Sequence, residues 1–124
     1  MVVEDDDANY ALIARVLEST GLWRVSRETR VEPALEAVRA ARPVAILLDL
    51  DLPGTEGLAL ARVVKGDAEL RDIPIVVVSA SVMKQEHVKA KAAGCEYFVE
   101  KPFDIDRLRA VVAEASGRPA PASS

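Results

Sequence analysis

The chain is poor in the residues that most often carry chemistry. It has one cysteine, one histidine and one tryptophan, with two tyrosines and two phenylalanines besides. The lone Cys95 cannot close an internal disulfide, which fits a reducing cytosol. Nothing in its neighbourhood suggests an activated thiolate, so it reads as a small apolar filler after a helix. So few aromatics leave little for stacking nucleic-acid bases. Positive charge is short as well. Sixteen Lys and Arg against twenty Asp and Glu give a net charge of -4, where binding to a phosphate backbone calls for a basic surface. No apolar run approaches membrane-spanning length, and "MVVEDDD" is unlike the start of a signal peptide. The single histidine, His87, sits in "KQEHVKAKAA" among charged neighbours and reads as a solvated helix residue, not a phosphorelay donor.

What is present is the ordinary balance of one globular domain: 124 residues, half of them hydrophobic and 29% charged. Short apolar runs alternate with helical periodicity. "MVV" is a strand stump, and Ala8 to Ser19 is a helix with Gly21 as its stop. Trp23 to Val25 reads as an edge-like strand. Glu32 to Ala41 is a helix with Pro33 in its first turn, closed by Pro43. Ala45 to Leu48 is a buried strand, and Leu58 to Lys65 a short helix ending at Gly66. Ile73 to Ser79 is the most convincing strand, β-branched and apolar on both faces. Lys84 to Ala93 is a thinly apolar helix capped by Gly94, and Glu96 to Val99 is the last strand. Ile105 to Ala115 is the final helix, with Asp104 at its N-cap and Phe103 placed to staple onto Leu108. Residues 1–116 form the domain. Residues 117–124, rich in Pro, Ala and Ser, form a tail or the start of a linker.

Five strands alternating with five helices predict an α/β, doubly wound parallel sheet covered on both faces. In such sheets a ligand site lies beyond the C-terminal ends of the strands. The residues there are complementary. Glu4, Asp5 and Asp6 follow the first strand, Asp49 and Asp51 the third, Ser79 the fourth, and Lys101-Pro102 the fifth. Any one of these alone is more often a cap or a solvated turn. Together, the carboxylates suit a hard divalent cation such as Mg²⁺. A hydroxyl and an ammonium across from them suit a phosphoryl group, and one central carboxylate could be the nucleophile that accepts it.

Four motifs in register, "VVEDD" (Val2 to Asp6), "ILLDLDLPGTEG" (Ile46 to Gly57), "VVVSAS" (Val76 to Ser81) and "EKPF" (Glu100 to Phe103), make the chain resemble a response-regulator receiver domain of two-component signalling, from Met1 to about Ala115. "SVMK" (Ser81 to Lys84) and "AGCEYF" (Ala93 to Phe98) look most like single-domain receivers of the bacterial cell-cycle type. The resemblance implies a flavodoxin-like sheet of order 2-1-3-4-5. It implies that Asp49 is the phosphoacceptor, taking phosphoryl from the phosphohistidine of a sensor histidine kinase or phosphotransfer protein. Asp5 and Asp49 would hold Mg²⁺ (or Mn²⁺) directly, Asp51 through its backbone carbonyl and Glu4 through water. Lys101, Ser79 and Ala80 would bind the phosphoryl group, Ser79 and Phe98 would switch position on activation, and the Lys101-Pro102 bond would be cis. The implied protein is a cytoplasmic signalling switch, not a turnover enzyme. Its output would run through the face of the fourth helix, fifth strand and fifth helix, including Lys84, His87, Lys91, Tyr97 and Arg107. It would touch no nucleic acid or membrane, and a phosphorylation-dependent dimer is compatible with it.

Several positions depart from the family pattern. The first strand is short, which leaves room for a natural start upstream of Met1. Val31 stands where a turn glycine is usual, and Phe98 lacks the hydroxyl of the commoner tyrosine. Asp51 places a second negative charge beside the acceptor, and the resulting repulsion is expected to alter the lifetime of an aspartyl phosphate. The dephosphorylation rate of Asp51→Asn against the parent tests this. Three other readings compete. A haloacid-dehalogenase-type phosphatase also has a strand followed by Asp-x-Asp, but it wants Thr or Val where this chain has Pro53, and it gives Glu4 to Asp6 no role. A receiver that serves only as a docking adaptor usually loses part of the set Asp5, Asp49, Ser79 and Lys101, all present here. A receiver half of a longer regulator is compatible with the sequence.

Overall fold

The computed structural model describes residues 1–4, 6–19, 21, 23–49, 56–79, 84–101 and 104–117. Ten elements alternate along the chain: β1 (Val2–Val3), α1 (Asp7–Glu18), β2 (Arg27–Glu28), α2 (Val31–Ala41), β3 (Ile46–Asp49), α3 (Glu56–Gly66), β4 (Ile75–Ser79), α4 (Lys84–Ala92), β5 (Tyr97–Glu100) and α5 (Ile105–Ser116). The strands make one sheet of order β2-β1-β3-β4-β5, every neighbouring pair parallel. This is the flavodoxin-like arrangement expected from the sequence. Parallel neighbours require a crossover each time, and the helices supply it.

The strand side chains alternate between two cores, as a period of two demands. Val3, Ile46, Leu48, Ile75 and Val77 join Ala34, Val38, Leu60, Ala61 and Val64 of α2 and α3 on one face. Val2, Leu47, Val76 and Val78 join Ile13, Val16 and Leu17 of α1 and Leu108, Val111 and Val112 of α5 on the other. Because both faces of β3 and β4 are covered, those strands read as unbroken apolar runs. Cys95 lies in the first core, the filler role expected of it. Above that face, α4 rests through Ala90, while Val88 and Lys91 are exposed. Among the described side chains of this helix, the seat is thus made by an alanine.

The helix ends follow their local chemistry. Asp6 caps α1 by accepting from the Asn9 N–H at 2.9 Å. Asp104 caps α5 by accepting from the N–H groups of Asp106 and Arg107 at 2.8 and 3.3 Å, the cap expected from the sequence. α2 ends at Ala41, as expected, and Arg42, just before Pro43, adopts the left-handed region, φ 46°, its N–H closing onto the Val38 carbonyl. Phe103, the expected staple, lies outside the described residues.

The second strand needs correction. It runs over Arg27 and Glu28, not Trp23 to Val25. The ladder is set by β1, whose Val2 and Glu4 N–H groups donate to Ser26 and Glu28 carbonyls at 2.8 and 2.9 Å. Trp23 and Val25 are apolar because they pack on the α1/α5 core, short of the pairing segment. Apolar content marked what is buried here, and the neighbouring strand decided what is paired.

Candidate functional site

Parallel order places the last residues of β1, β3, β4 and β5 along one edge of the sheet. Asp49 is the last residue of β3, in register with Val78, and Ser79 ends β4, in register with Glu100. Glu4 follows β1 directly. Lys101 follows β5, and its N–H donates to the Ser79 carbonyl at 2.9 Å, carrying the ladder one residue past the strand. From there its side chain reaches across β4. Nζ donates to Asp49 Oδ1 at 3.1 Å and stands 3.7 Å from Glu4 Oε1.

All of this is shielded from water. Glu4 is 0% exposed, Asp49 5% and Ser79 6%. Among the described residues, two carboxylates therefore face one ammonium in a site of low polarity, where unbalanced charge is costly. The imbalance appears at Glu4. Burial first, then the lone pairs and charge of the adjoining Asp49 carboxylate, push the Glu4 carboxyl up to about 7, against the opposing pull of Lys101. Glu4 Oε1 is also buried without a hydrogen-bond partner among the described residues, a cost that native structures rarely leave standing. A buried oxygen without a donor, set beside a second carboxylate, fits a hard divalent cation. Among the described residues no group of three metal-capable side chains occurs. Asp5 and Asp51, expected as ligands, lie outside them, as do Ala80 and Pro102.

Of the residues singled out in the sequence, Glu4, Asp49 and Lys101 are brought into mutual contact, with Ser79 at the end of the intervening strand. Asp6 has turned away to cap α1. Phe98 is half-buried and packs on the core beneath α2 and α3. Of the expected partner-facing residues, Lys91 and Arg107 are exposed and Tyr97 packs partly on the α1/α5 core. The side chains of Lys84 and His87 are outside the description.

Sequence reasoning missed Arg27. The guanidinium Nε donates to the Glu4 carbonyl at 3.1 Å, so this side chain adjoins the site from the edge strand. With the second strand read four residues early, Arg27 fell in a turn. Aligning that strand on β1 instead of on its own apolar residues would have placed it beside Glu4.

Comparison with known proteins agrees with this geometry. The family model for the response regulator receiver domain matches residues 1–113. The polar-differentiation response regulator DivK of Brucella anthropi is 36% identical over 108 residues, 87% of each chain. The receiver domain of a Pseudomonas aeruginosa sensor histidine kinase, solved with a magnesium ion coordinated in its active-site cleft, superimposes with a TM-score of 0.84 at 27% identity, covering 94% of both chains. The signal receiver domain of a histidine kinase from Syntrophus aciditrophicus also gives 0.84, at 26% identity over 94% of this chain and 87% of that one.

Proposed function

The chain belongs to the response-regulator receiver domains of two-component signalling, and on that premise we propose that it is a phospho-accepting switch whose acceptor is Asp49. The observation that carries this reading is the buried Asp49–Lys101 contact at 3.1 Å, with Glu4 alongside. An acceptor carboxylate must be held at a strand end, shielded from competing water, with a cation ready for the oxygens of the incoming group.

In the proposed reaction a carboxylate oxygen of Asp49 attacks phosphorus of a partner's phosphohistidine. The O–P bond forms, the N–P bond breaks, and its electron pair returns to the imidazole nitrogen. Lys101 holds the Asp49 carboxylate beforehand and a phosphoryl oxygen afterwards. Ser79 donates its hydroxyl to the phosphoryl group. Asp49 directly and Glu4 through water would hold Mg²⁺, together with Asp5 and the Asp51 carbonyl. When bound, the cation supplies positive charge against the phosphoryl oxygens. Support for it in this chain is the donorless Glu4 oxygen, and the Pseudomonas receiver domain named above was solved with magnesium in its cleft.

The new charge at Asp49 would draw in Ser79 and Phe98 and bias the packing of α4, β5 and α5, the face offered to a downstream protein. A thinly seated α4 suits a movable element. The kinase or phosphotransfer partner would meet the site from the strand-end side, in the cytoplasm; among the described residues no helix is long and apolar enough to cross a membrane. The test is incubation of the parent and Asp49→Asn with a small phosphodonor and Mg²⁺. A one-equivalent, Mg²⁺-dependent modification, absent in the variant, is expected. Retention of the modification in Asp49→Asn would refute the assignment. Steady release of phosphate from a generic monoester would point to a phosphatase instead. Unaltered amide exchange over residues 80–100 after phosphorylation would refute the proposed output face.

A further inference from the structure

Arg27 lies in the edge strand β2, yet its guanidinium is directed at the connection between β1 and α1. Nε donates to the Glu4 carbonyl at 3.1 Å, Nη2 stands 2.8 Å from Asp7 Oδ1, and Cζ lies 4.8 Å from the centroid of the Tyr10 ring. Glu4 follows β1, Asp7 opens α1, and Tyr10 lies at the end of its first turn. One planar cation thus holds Glu4 on one side of residues 5 and 6, and Asp7 and Tyr10 on the other. The main chain of Glu4 is fixed from the same edge twice, by its N–H to the Glu28 carbonyl and by its carbonyl to Arg27. The Tyr10 ring packs in turn on the α1/α5 core, so the grip is anchored to the body of the fold.

These contacts are unequal. Asp7 is 92% exposed, and an ion pair to so open a carboxylate contributes little. The carbonyl bond and the ring contact are better shielded, because the Arg27 side chain is itself only 26% exposed. Both depend on a flat guanidinium with several fixed donors, which a lysine does not reproduce.

We propose that Arg27 is a positioning residue for divalent-cation binding: it ties Glu4, beside Asp49, to the start of α1 and so sets cation affinity without contacting the cation. This rests on the reading of the site as a Mg²⁺-dependent phosphoacceptor. The sign of the effect separates positioning from simple charge. A guanidinium close to the acidic segment repels any incoming cation by Coulomb's law. Were Arg27 only a nearby charge, its removal would tighten divalent binding. A positioning role demands the opposite.

The experiment is calorimetric titration of Mg²⁺, and separately Mn²⁺, into the full chain as parent, Arg27→Gln, Arg27→Lys and Asp7→Asn. Circular dichroism melts and amide exchange of residues 4–10 are recorded on each. Arg27→Gln is expected to bind Mg²⁺ about tenfold more weakly, the usual scale for loss of a residue that orients metal ligands. Exchange in residues 4–10 should rise. Arg27→Lys, with the charge but not the fork, should recover only part of the affinity, and Asp7→Asn should match the parent. Unchanged or tighter binding by Arg27→Gln overturns the proposal. Should that variant not fold, Arg27→Lys decides, and parent-like affinity there overturns it equally. A parent that binds no divalent cation would sink the phosphoacceptor reading and this inference together. Normal parental binding with an indifferent Arg27→Gln would sink the inference alone.

Discussion

Lys101 Nζ and Asp49 Oδ1 meet at 3.1 Å although β4 stands between the strands that bear them. The lysine is placed by a backbone bond to the Ser79 carbonyl of that middle strand, so the ion pair spans three strands and reports on the order of all of them. Removing the ammonium leaves Asp49 and Glu4 buried with no counter-charge from Lys101. Lys101→Met is therefore expected to lower stability by about 3 kcal/mol at neutral pH, the scale for breaking a buried pair. Part of that loss should return on adding Mg²⁺ if the cation binds between the carboxylates. Urea melts of parent and variant, with and without Mg²⁺, measure both effects.

Glu4 predicts a pH dependence of opposite sense to that of an ordinary stabilising carboxylate. Its folded-state pKa, about 7, lies above the ordinary carboxyl value of 4.5, so between these values the native chain holds a proton that the unfolded chain has released. The contribution of Glu4 is complete below about pH 4.5 and is lost as pH rises through 7. With a chelator present, Glu4→Gln should match the parent near pH 4.5 and exceed it by about 3 kcal/mol at pH 8. A gap that stays constant across this range in denaturant melts would contradict the shift.

Gly94 and Lys65 are coupled at the other end of the sheet. Gly94 has φ 97°, and a Cβ there would stand 2.6 Å from Lys65 Cγ. Lys65 is not free to move aside, because Nζ donates to the Arg71 and Ile73 carbonyls at 3.0 and 2.7 Å and pairs with Glu96 at 2.8 Å. Gly94→Ala should cost about 2–3 kcal/mol, through backbone strain and displacement of this lysine together. In the Lys65→Ala background the steric share disappears, so the double variant should be less destabilised than the sum of the singles. Strict additivity in a thermal-melt cycle would count against the coupling.

Cys95 is buried, and desolvation first, then the nearby Glu96 charge, push its thiol up to about 11. Alkylation by iodoacetamide at pH 8 should be far slower in the native chain than in urea, since the thiolate is the nucleophile. The native thiol stays protonated where the unfolded one has ionised, so its stabilising contribution falls between about pH 9 and 11. Equal alkylation rates in the two states would refute the burial.

Much of the fold is legible in the sequence because β3 and β4 are sealed on both faces. Only apolar residues satisfy that position, so Ile46 to Leu48 and Ile75 to Val78 announce themselves. The acidic and basic residues just beyond each strand then mark one edge as the site. The second strand was not legible, because a two-residue edge strand is specified by its partner's free N–H groups and not by its own side chains. Its true position is what puts Arg27 beside Glu4.

The amino-acid sequence by itself determined the alternation of elements, the polarity of their ends and the stock of charged groups at Glu4, Asp49, Ser79 and Lys101, since these are local matters of periodicity and residue type. Tertiary structure decided the rest. Only the parallel order brings Lys101 over β4 to Asp49, and only the closing of both cores excludes the water that would otherwise let Glu4 ionise as an ordinary carboxylate. Distance and dielectric are properties of the assembled sheet, and no stretch of the chain encodes them alone.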